Sequence, residues 1–151
     1  MLRQRFSERL KDALKSKDQR AVGTVRLMMA ALKDRDIAAR GKGNTEGIAE
    51  DEILQMLQAM VKQRRESIEM FRAGAREDLV RQEQEEIAVI EGFMPRQLDE
   101  AEIERIAGEL VTETGAASIK DMGRVMAVLK ERFAGQMDFA KASAVVKRRL
   151  V

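Results

Sequence analysis

A single proline, Pro95, is the feature that most constrains how this chain can fold. Proline has no backbone donor and disfavours the α conformation at the residue before it, so a helix must end by Met94. Phe93 and Met94 are large and apolar, and we therefore expect a short packed hinge here rather than a solvated linker. This hinge predicts two domains, residues 1–95 and residues 96–151.

On both sides of the hinge, apolar residues recur at three-four spacing, which is the pattern of amphipathic helices. We predict about four helices before the hinge and three after it. Their approximate limits are 2–16, 19–39, 50–72, 76–90, 99–113, 119–133 and 139–150. No segment shows the alternation of a half-buried strand, so the predicted fold class is all-α.

The composition excludes several kinds of site. The chain has no cysteine and no histidine, which removes Ser-His and Cys-His catalysis and the usual zinc sites. We expect no catalytic residue, no metal and no cofactor. No apolar run is long enough to cross a bilayer, so we expect no membrane partner. The basic segment from Met1 to Lys17 is interpreted as the first helix of a cytoplasmic protein, because Glu8 and Asp12 argue against a transit peptide.

Charge is distributed in blocks along the chain. The net charge is +7 over residues 1–42, −6 over 43–95, −4 over 96–117 and +5 over 118–151, which sums to +2. One interpretation is mutual attraction of neighbouring helices within the fold. The alternative is that one basic end of the chain is a binding surface for a polyanion.

Two charged residues, Arg64 and Glu83, interrupt the apolar stripes of the third and fourth predicted helices, and Glu86 lies beside the second stripe. If these helices form an antiparallel hairpin around Gly74, Arg64 meets Glu83 or Glu86. A charge on a buried face usually has a partner, so we interpret the group as a semi-buried ion pair that fixes the register of the hairpin. The functional alternative is a carboxylate pair for metal or general-base chemistry, which would require further ligands.

Gly123 is a second irregularity, because it lies inside the sixth predicted helix, where alanine is better by about 1 kcal/mol. We interpret it as a position of close helix packing, and the alternative is the approach of a ligand. Lys120 and Arg124 are spaced to share one outer helical face. A candidate nucleic-acid patch combines them with cations of the last helix: Lys120, Arg124, Lys141, Lys147 and Arg148. Complementarity to the helix dipole is the alternative for the cations at the C-terminus.

Several short motifs occur in order along nearly the whole chain. They are Val61-Lys62-Gln63-Arg64-Arg65-Glu66-Ser67, Arg76-x-x-Leu79-x-x-x-Glu83-x-x-Glu86-Ile87, Phe93-Met94-Pro95-x-Gln97-Leu98 and Lys120-Asp121-Met122-Gly123-Arg124-Val125-Met126. In these motifs the chain resembles the YqeY family. The C-terminal part of that family resembles the tail domain of GatB, the B subunit of the glutamine-dependent aspartyl/glutamyl-tRNA amidotransferase.

The resemblance implies an all-helical N-terminal domain and a GatB-tail-like domain of three helices, residues 96–151. In the amidotransferase the tail helps to hold the tRNA, whereas the carbon–nitrogen ligase chemistry with glutamine as amido donor lies in other domains and subunits. The resemblance therefore implies tRNA binding without intrinsic catalysis.

Two functions of different classes are considered. The first is a non-catalytic tRNA-binding helper, with components of the tRNA amidotransferase or of aminoacyl-tRNA synthetases as further partners. The chain has no Trp or Tyr, so such binding would depend on phosphates and RNA shape rather than on base stacking. The alternative is a helical adaptor with a protein partner and no nucleic acid, because methionine-rich stripes suit adaptable packing.

Overall fold

The computed structural model describes residues 1–151 and contains seven α-helices and no strand. The helices are α1 (Leu2–Ser16), α2 (Gln19–Arg40), α3 (Glu50–Ala73), α4 (Glu77–Glu91), α5 (Glu100–Thr114), α6 (Met122–Arg132) and α7 (Phe139–Leu150). A 3₁₀ turn, Ile119–Asp121, precedes α6. The all-α prediction is confirmed.

The contacts between Cα atoms divide the chain into two compact units, Met1–Met94 and Pro95–Val151. Each unit has its own hydrophobic core. The first core contains residues of α1, α2, α3 and α4, including Phe6, Val25, Met28, Ile53, Met56, Leu57 and Ile90. The second contains residues of α5, α6 and α7, including Ile106, Ala107, Leu110, Val125, Leu129, Ala142 and Val146.

Phe93, which we expected in a hinge, is part of the first unit's own core. Its side chain is buried, and its ring meets that of Phe6 edge to face with 4.9 Å between the centroids. The guanidinium group of Arg5 lies 5.3 Å from the centre of the Phe93 ring and donates to the carbonyl of Gly92. This arrangement attaches α1 to the end of α4.

A network of hydrogen bonds and an ion pair joins α1 to α2 and to the start of α3. Two guanidinium nitrogens of Arg3 donate to the Asp36 carboxylate at 2.7 and 2.8 Å, and one of them also donates to the carbonyl of Ile48. The Ile48 amide donates to Asp36 in return. Glu50 of α3 accepts from the amide of Leu2, so it caps a helix that has no side-chain cap at its own N-terminus.

In the second unit, the segment before α5 is joined to the loop before α7. The Leu98 amide donates to the Gln136 carbonyl at 2.8 Å. The Gln97 amide group donates to the carbonyls of Gly135 and of Pro95, and Pro95 itself is exposed.

Asp99 caps α5 by accepting from the Glu102 amide, and the Glu102 carboxylate forms a bidentate pair with Arg96.

One further sequence expectation needs correction. Gly123 is exposed in α6, and a Cβ atom placed there meets nothing within 4 Å. The prediction of close packing at Gly123 is therefore wrong, because the buried face of α6 carries Val125 and Leu129 and the glycine lies outside it.

Candidate nucleic-acid interface

The cations of α7 are exposed because the apolar residues of this helix occupy its other face. Ala142, Val145, Val146 and Leu150 are buried in the second core. Asp138 begins the helix by accepting from the Ala140 amide at 2.9 Å. The other face carries four cations, Lys141, Lys147, Arg148 and Arg149, all exposed, and α7 contains no carboxylate.

Lys141 and Arg148 line the same open groove, which has a volume of about 400 Å³ between α7 and α5. Glu100 and Glu104 of α5 line its other side. Arg148 donates to the Glu104 carboxylate at 2.8 Å, although 69% of the arginine side chain remains exposed. Lys141 and Lys147 have no carboxylate within ion-pairing distance. The α7 cations therefore lie beside acidic α5, and only the two arginines are paired with it.

The sequence spacing predicted that Lys120 and Arg124 share one face of an α-helix, but the two residues do not lie in the same α-helix. Lys120 lies in the 3₁₀ turn, because a capping box between Ser118 and Asp121 holds that turn, and α6 begins only at Met122. Arg124 lies 3.5 Å from the Asp121 carboxylate. Hydrogen bonds from the backbone amides of residues 117 and 118 lower the pKa of Asp121, so a negative charge lies beside Arg124.

Arg64, in the first unit, contacts Glu86 across the α3–α4 hairpin. The distance between Arg64 Nε and Glu86 Oε2 is 3.1 Å, and each side chain is only 13% exposed. Arg64 also donates to the Met60 carbonyl, and Arg20 of α2 lies 4.0 Å from Glu86. Arg20, Arg64 and Glu86 belong to α2, α3 and α4, so their contacts are suited to holding these three helices together.

Glu83 lies beside this pair, and its pKa is raised above the ordinary value. Burial is the main cause, followed by the negative charge of Glu86, while Arg64 and Arg20 oppose the shift. Burial and the neighbouring Glu86 carboxylate therefore make the ionised form of Glu83 less favourable than it is in water. No cluster of three or more acidic, His or Cys side chains arranged for a metal ion occurs in the chain.

The profile of YqeY-like proteins matches residues 3–150, which is almost the whole chain. The chain belongs to the YqeY family. Relatives of this YqeY protein include the yeast protein "Altered inheritance of mitochondria protein 41, mitochondrial" of Saccharomyces cerevisiae S288c, which is 31% identical over 117 residues. That match covers 74% of this chain and 61% of the yeast protein.

Proteins of the same name in two other fungi are also similar to this YqeY chain. The Lachancea thermotolerans protein is 33% identical over 106 residues, covering 69% of this chain and 54% of that protein. The Pyrenophora tritici-repentis protein is 32% identical over 134 residues, covering 85% of this chain and 71% of that protein. The match thus spans about three-fifths of the yeast relatives' length. No helix of this YqeY chain is both long and apolar enough to cross a membrane.

Gly108, which faces Arg149 of α7, is a residue of this candidate surface that sequence reasoning missed. Arg149 donates to the Glu104 carbonyl at 3.0 Å and lies 3.5 Å from the Glu104 carboxylate. A Cβ atom at Gly108 would lie only 2.9 Å from Arg149 Nη1. Gly108 therefore leaves room for the guanidinium group of Arg149, which is a side-chain contact and not the helix packing expected at Gly123. Its signal was weak, because a glycine on a helix does not reveal which neighbour it meets.

Proposed function

We propose that this YqeY protein is a non-catalytic helper that binds tRNA, and that residues 96–151 form a domain comparable to the tail of GatB. The observation that carries the proposal is the charge of α7, which has four cations and no carboxylate. Glu104 is the one carboxylate that pairs with them, and it is shared by Arg148 and Arg149. Positive charge thus remains at Lys141 and Lys147.

The expected binding is weak, local and sensitive to salt. Residues 96–117 carry −4 and residues 118–151 carry +5, so the second unit as a whole has a net charge of only +1. Contacts from lysine and arginine to phosphates gain affinity from the release of counterions. They recognise the shape of a folded RNA and do not distinguish its base sequence. The two most buried aromatic rings, Phe6 and Phe93, belong to the core of the other unit, so they are not available for stacking on bases.

The proposed setting is the cytoplasm, with components of the tRNA amidotransferase or of an aminoacyl-tRNA synthetase as further partners. The names of the fungal relatives assign those proteins to mitochondria. In either compartment, the proposed role is to hold tRNA while another protein performs the chemistry.

The test is the binding of labelled, unfractionated tRNA to the full chain, measured by fluorescence anisotropy from about 50 mM salt upward, where phosphate contacts are strong. Lys141→Glu with Lys147→Glu should weaken binding strongly and reduce the slope of log affinity against log salt by about 0.7–0.9 for each phosphate that is no longer neutralised. The matched control is Lys62→Glu with Arg72→Glu, which makes the same change in net charge at two exposed, unpaired cations of α3.

Undetectable tRNA binding by the wild type at low salt contradicts the proposal and favours the protein adaptor. Equal weakening by the control pair also contradicts it, because binding would then follow net charge rather than the α7 surface.

A further inference from the structure

A groove between α1 and α2 combines an apolar floor with an exposed apolar wall. Phe6 and Leu32 lie beneath the groove and are buried, so the apolar surface that a partner can reach there is that of half-buried Met29 and exposed Ala30. Ile37 stands at the wall with 52% of its surface exposed. The open volume is about 510 Å³. This is an apolar surface on the first unit that the proposed tRNA contacts do not use.

The charged residues that line the groove leave it positive. Asp36 is the one acidic residue there, and its charge is matched by the bidentate contact with Arg3. The same contact is the main reason that the pKa of Asp36 is lowered to about 2, so this carboxylate remains ionised. Lys33 and Arg40 also line the groove, are exposed, and have no carboxylate within ion-pairing distance. The rim therefore carries two uncompensated positive charges.

Lys33, Ile37 and Arg40 belong to a longer stripe of exposed residues on α2. The exposed side chains along one face are Arg26, Ala30, Lys33, Ile37 and Arg40, which follow three-four spacing. At a rise of about 1.5 Å per residue, the stripe is roughly 21 Å long, which matches about four turns of a partner helix. Cationic and apolar positions alternate along it, with Lys33 and Arg40 on either side of Ile37.

We propose that the α1–α2 groove binds an acidic amphipathic helix of a protein partner. A groove between two helices with an apolar floor accepts anchors at positions i, i+3, i+4 and i+7 of such a helix. Lys33 and Arg40 would pair with carboxylates that flank those anchors, which gives the interface its charge selectivity. A phosphate backbone would leave Ile37 and the apolar floor unused, so RNA fits this surface less well than an acidic helix does.

The probe is a pair of synthetic helical peptides that share leucine anchors at i, i+4 and i+7, one flanked by glutamate and the other by lysine. Binding to the full chain is followed by anisotropy, and the bound surface by amide chemical shifts. The acidic peptide should bind and shift amides of α1 and α2, whereas the basic peptide should bind at least about tenfold more weakly.

Two variants locate the contacts. Lys33→Glu with Arg40→Glu should reduce binding of the acidic peptide by about tenfold or more, while the matched control Lys62→Glu with Arg72→Glu should leave it unchanged. Ile37→Ser should weaken both peptides without altering their charge preference. The Lys141→Glu with Lys147→Glu variant should bind the acidic peptide normally, so failure of the tRNA proposal and failure of this one are distinguishable.

Several results would overturn the docking site. They are equal binding of the two peptides, no binding of the acidic peptide, chemical shifts confined to the second unit, and loss of tRNA binding in the Lys33/Arg40 variant, which would make the groove an RNA surface. A concentration-dependent dimer that Ile37→Ser abolishes would also overturn it, because the occupant would then be a second copy of this chain.

Discussion

Replacing Arg64 with methionine should destabilise the first unit strongly. The substitution keeps the length of the apolar stem but removes the guanidinium that contacts Glu86 at 3.1 Å. It leaves Glu83 and Glu86 close together and half-buried, with Arg20 as the nearest remaining cation, 4.0 Å from Glu86. It also removes the hydrogen bond that Arg64 donates to the Met60 carbonyl.

The magnitude follows from the exposure of the pair. Breaking a fully buried ion pair costs roughly 3–5 kcal/mol, and removing a hydrogen bond adds about 1 kcal/mol. Arg64 and Glu86 are each 13% exposed, so water reaches part of the pair and relieves part of the cost. We expect a decrease of about 2–4 kcal/mol in the free energy of unfolding for Arg64→Met, and near recovery when Glu86→Leu is added, because no unpaired charge then remains on Glu86.

The assay is urea unfolding of the full chain followed by circular dichroism, with hydrogen exchange of the α3 and α4 amides to assign the destabilisation to the first unit. Arg65→Met is the matched control, because Arg65 pairs with Glu91 across the same two helices at 3.0 Å but is 64% exposed. An exposed pair contributes only about 0.2–1 kcal/mol. The reasoning fails if Arg64→Met costs no more than Arg65→Met, or if the single and double variants unfold at the same urea concentration.

Three further predictions concern pH, a glycine and the basic patch. Because the pKa of Glu83 is raised in the folded protein, protonation of this carboxyl group favours folding. That contribution to stability is present at low pH and is lost as the pH rises through the folded pKa. Glu83→Gln should therefore match the wild type in acid and exceed its urea midpoint near neutrality, and parallel pH profiles would contradict this. Gly123→Ala should raise the free energy of unfolding by about 0.5–1 kcal/mol in thermal melts, whereas a lower melting temperature would indicate a hidden contact. Lys120→Glu with Arg124→Glu should weaken tRNA binding and flatten its salt dependence, Glu109→Lys should not, and unchanged binding in the first variant would remove both cations from the patch.

The helices were predictable because their pattern is local. Apolar spacing and capping residues lie within a few positions of the element that they specify. Asp18, Asp99 and Asp138, which directly precede α2, α5 and α7, each accept a backbone hydrogen bond at the start of that helix. The contact between Arg64 and Glu86 was also foreseeable, because a charge on an apolar stripe requires a partner and the hairpin turn limits the choice.

What the sequence did not predict depends on neighbours that are distant along the chain. Glycine signals helix packing only when another element is close, and the Cβ positions of Gly23 and Gly123 meet nothing within 4 Å, whereas that of Gly108 meets Arg149. The exposure of the α7 cations followed from spacing alone. Their pairing did not, since Glu104 and Arg148 are separated by 44 residues and nothing local relates them.

The contact between the rings of Phe6 and Phe93 has a consequence for the order in which the protein is made. Arg5 and Gly92, which flank this ring pair and share a hydrogen bond, are 87 residues apart. At about 5–20 residues per second, α1 leaves the ribosomal peptidyl-transferase centre roughly 4–17 s before its partner is synthesised. During that interval Phe6 has no ring to pack against and α1 has no attachment to α4. Phe93 is the last buried residue of the first core, and the first unit ends at the next residue, Met94. Synthesis from the N-terminus therefore completes one unit as it begins the next.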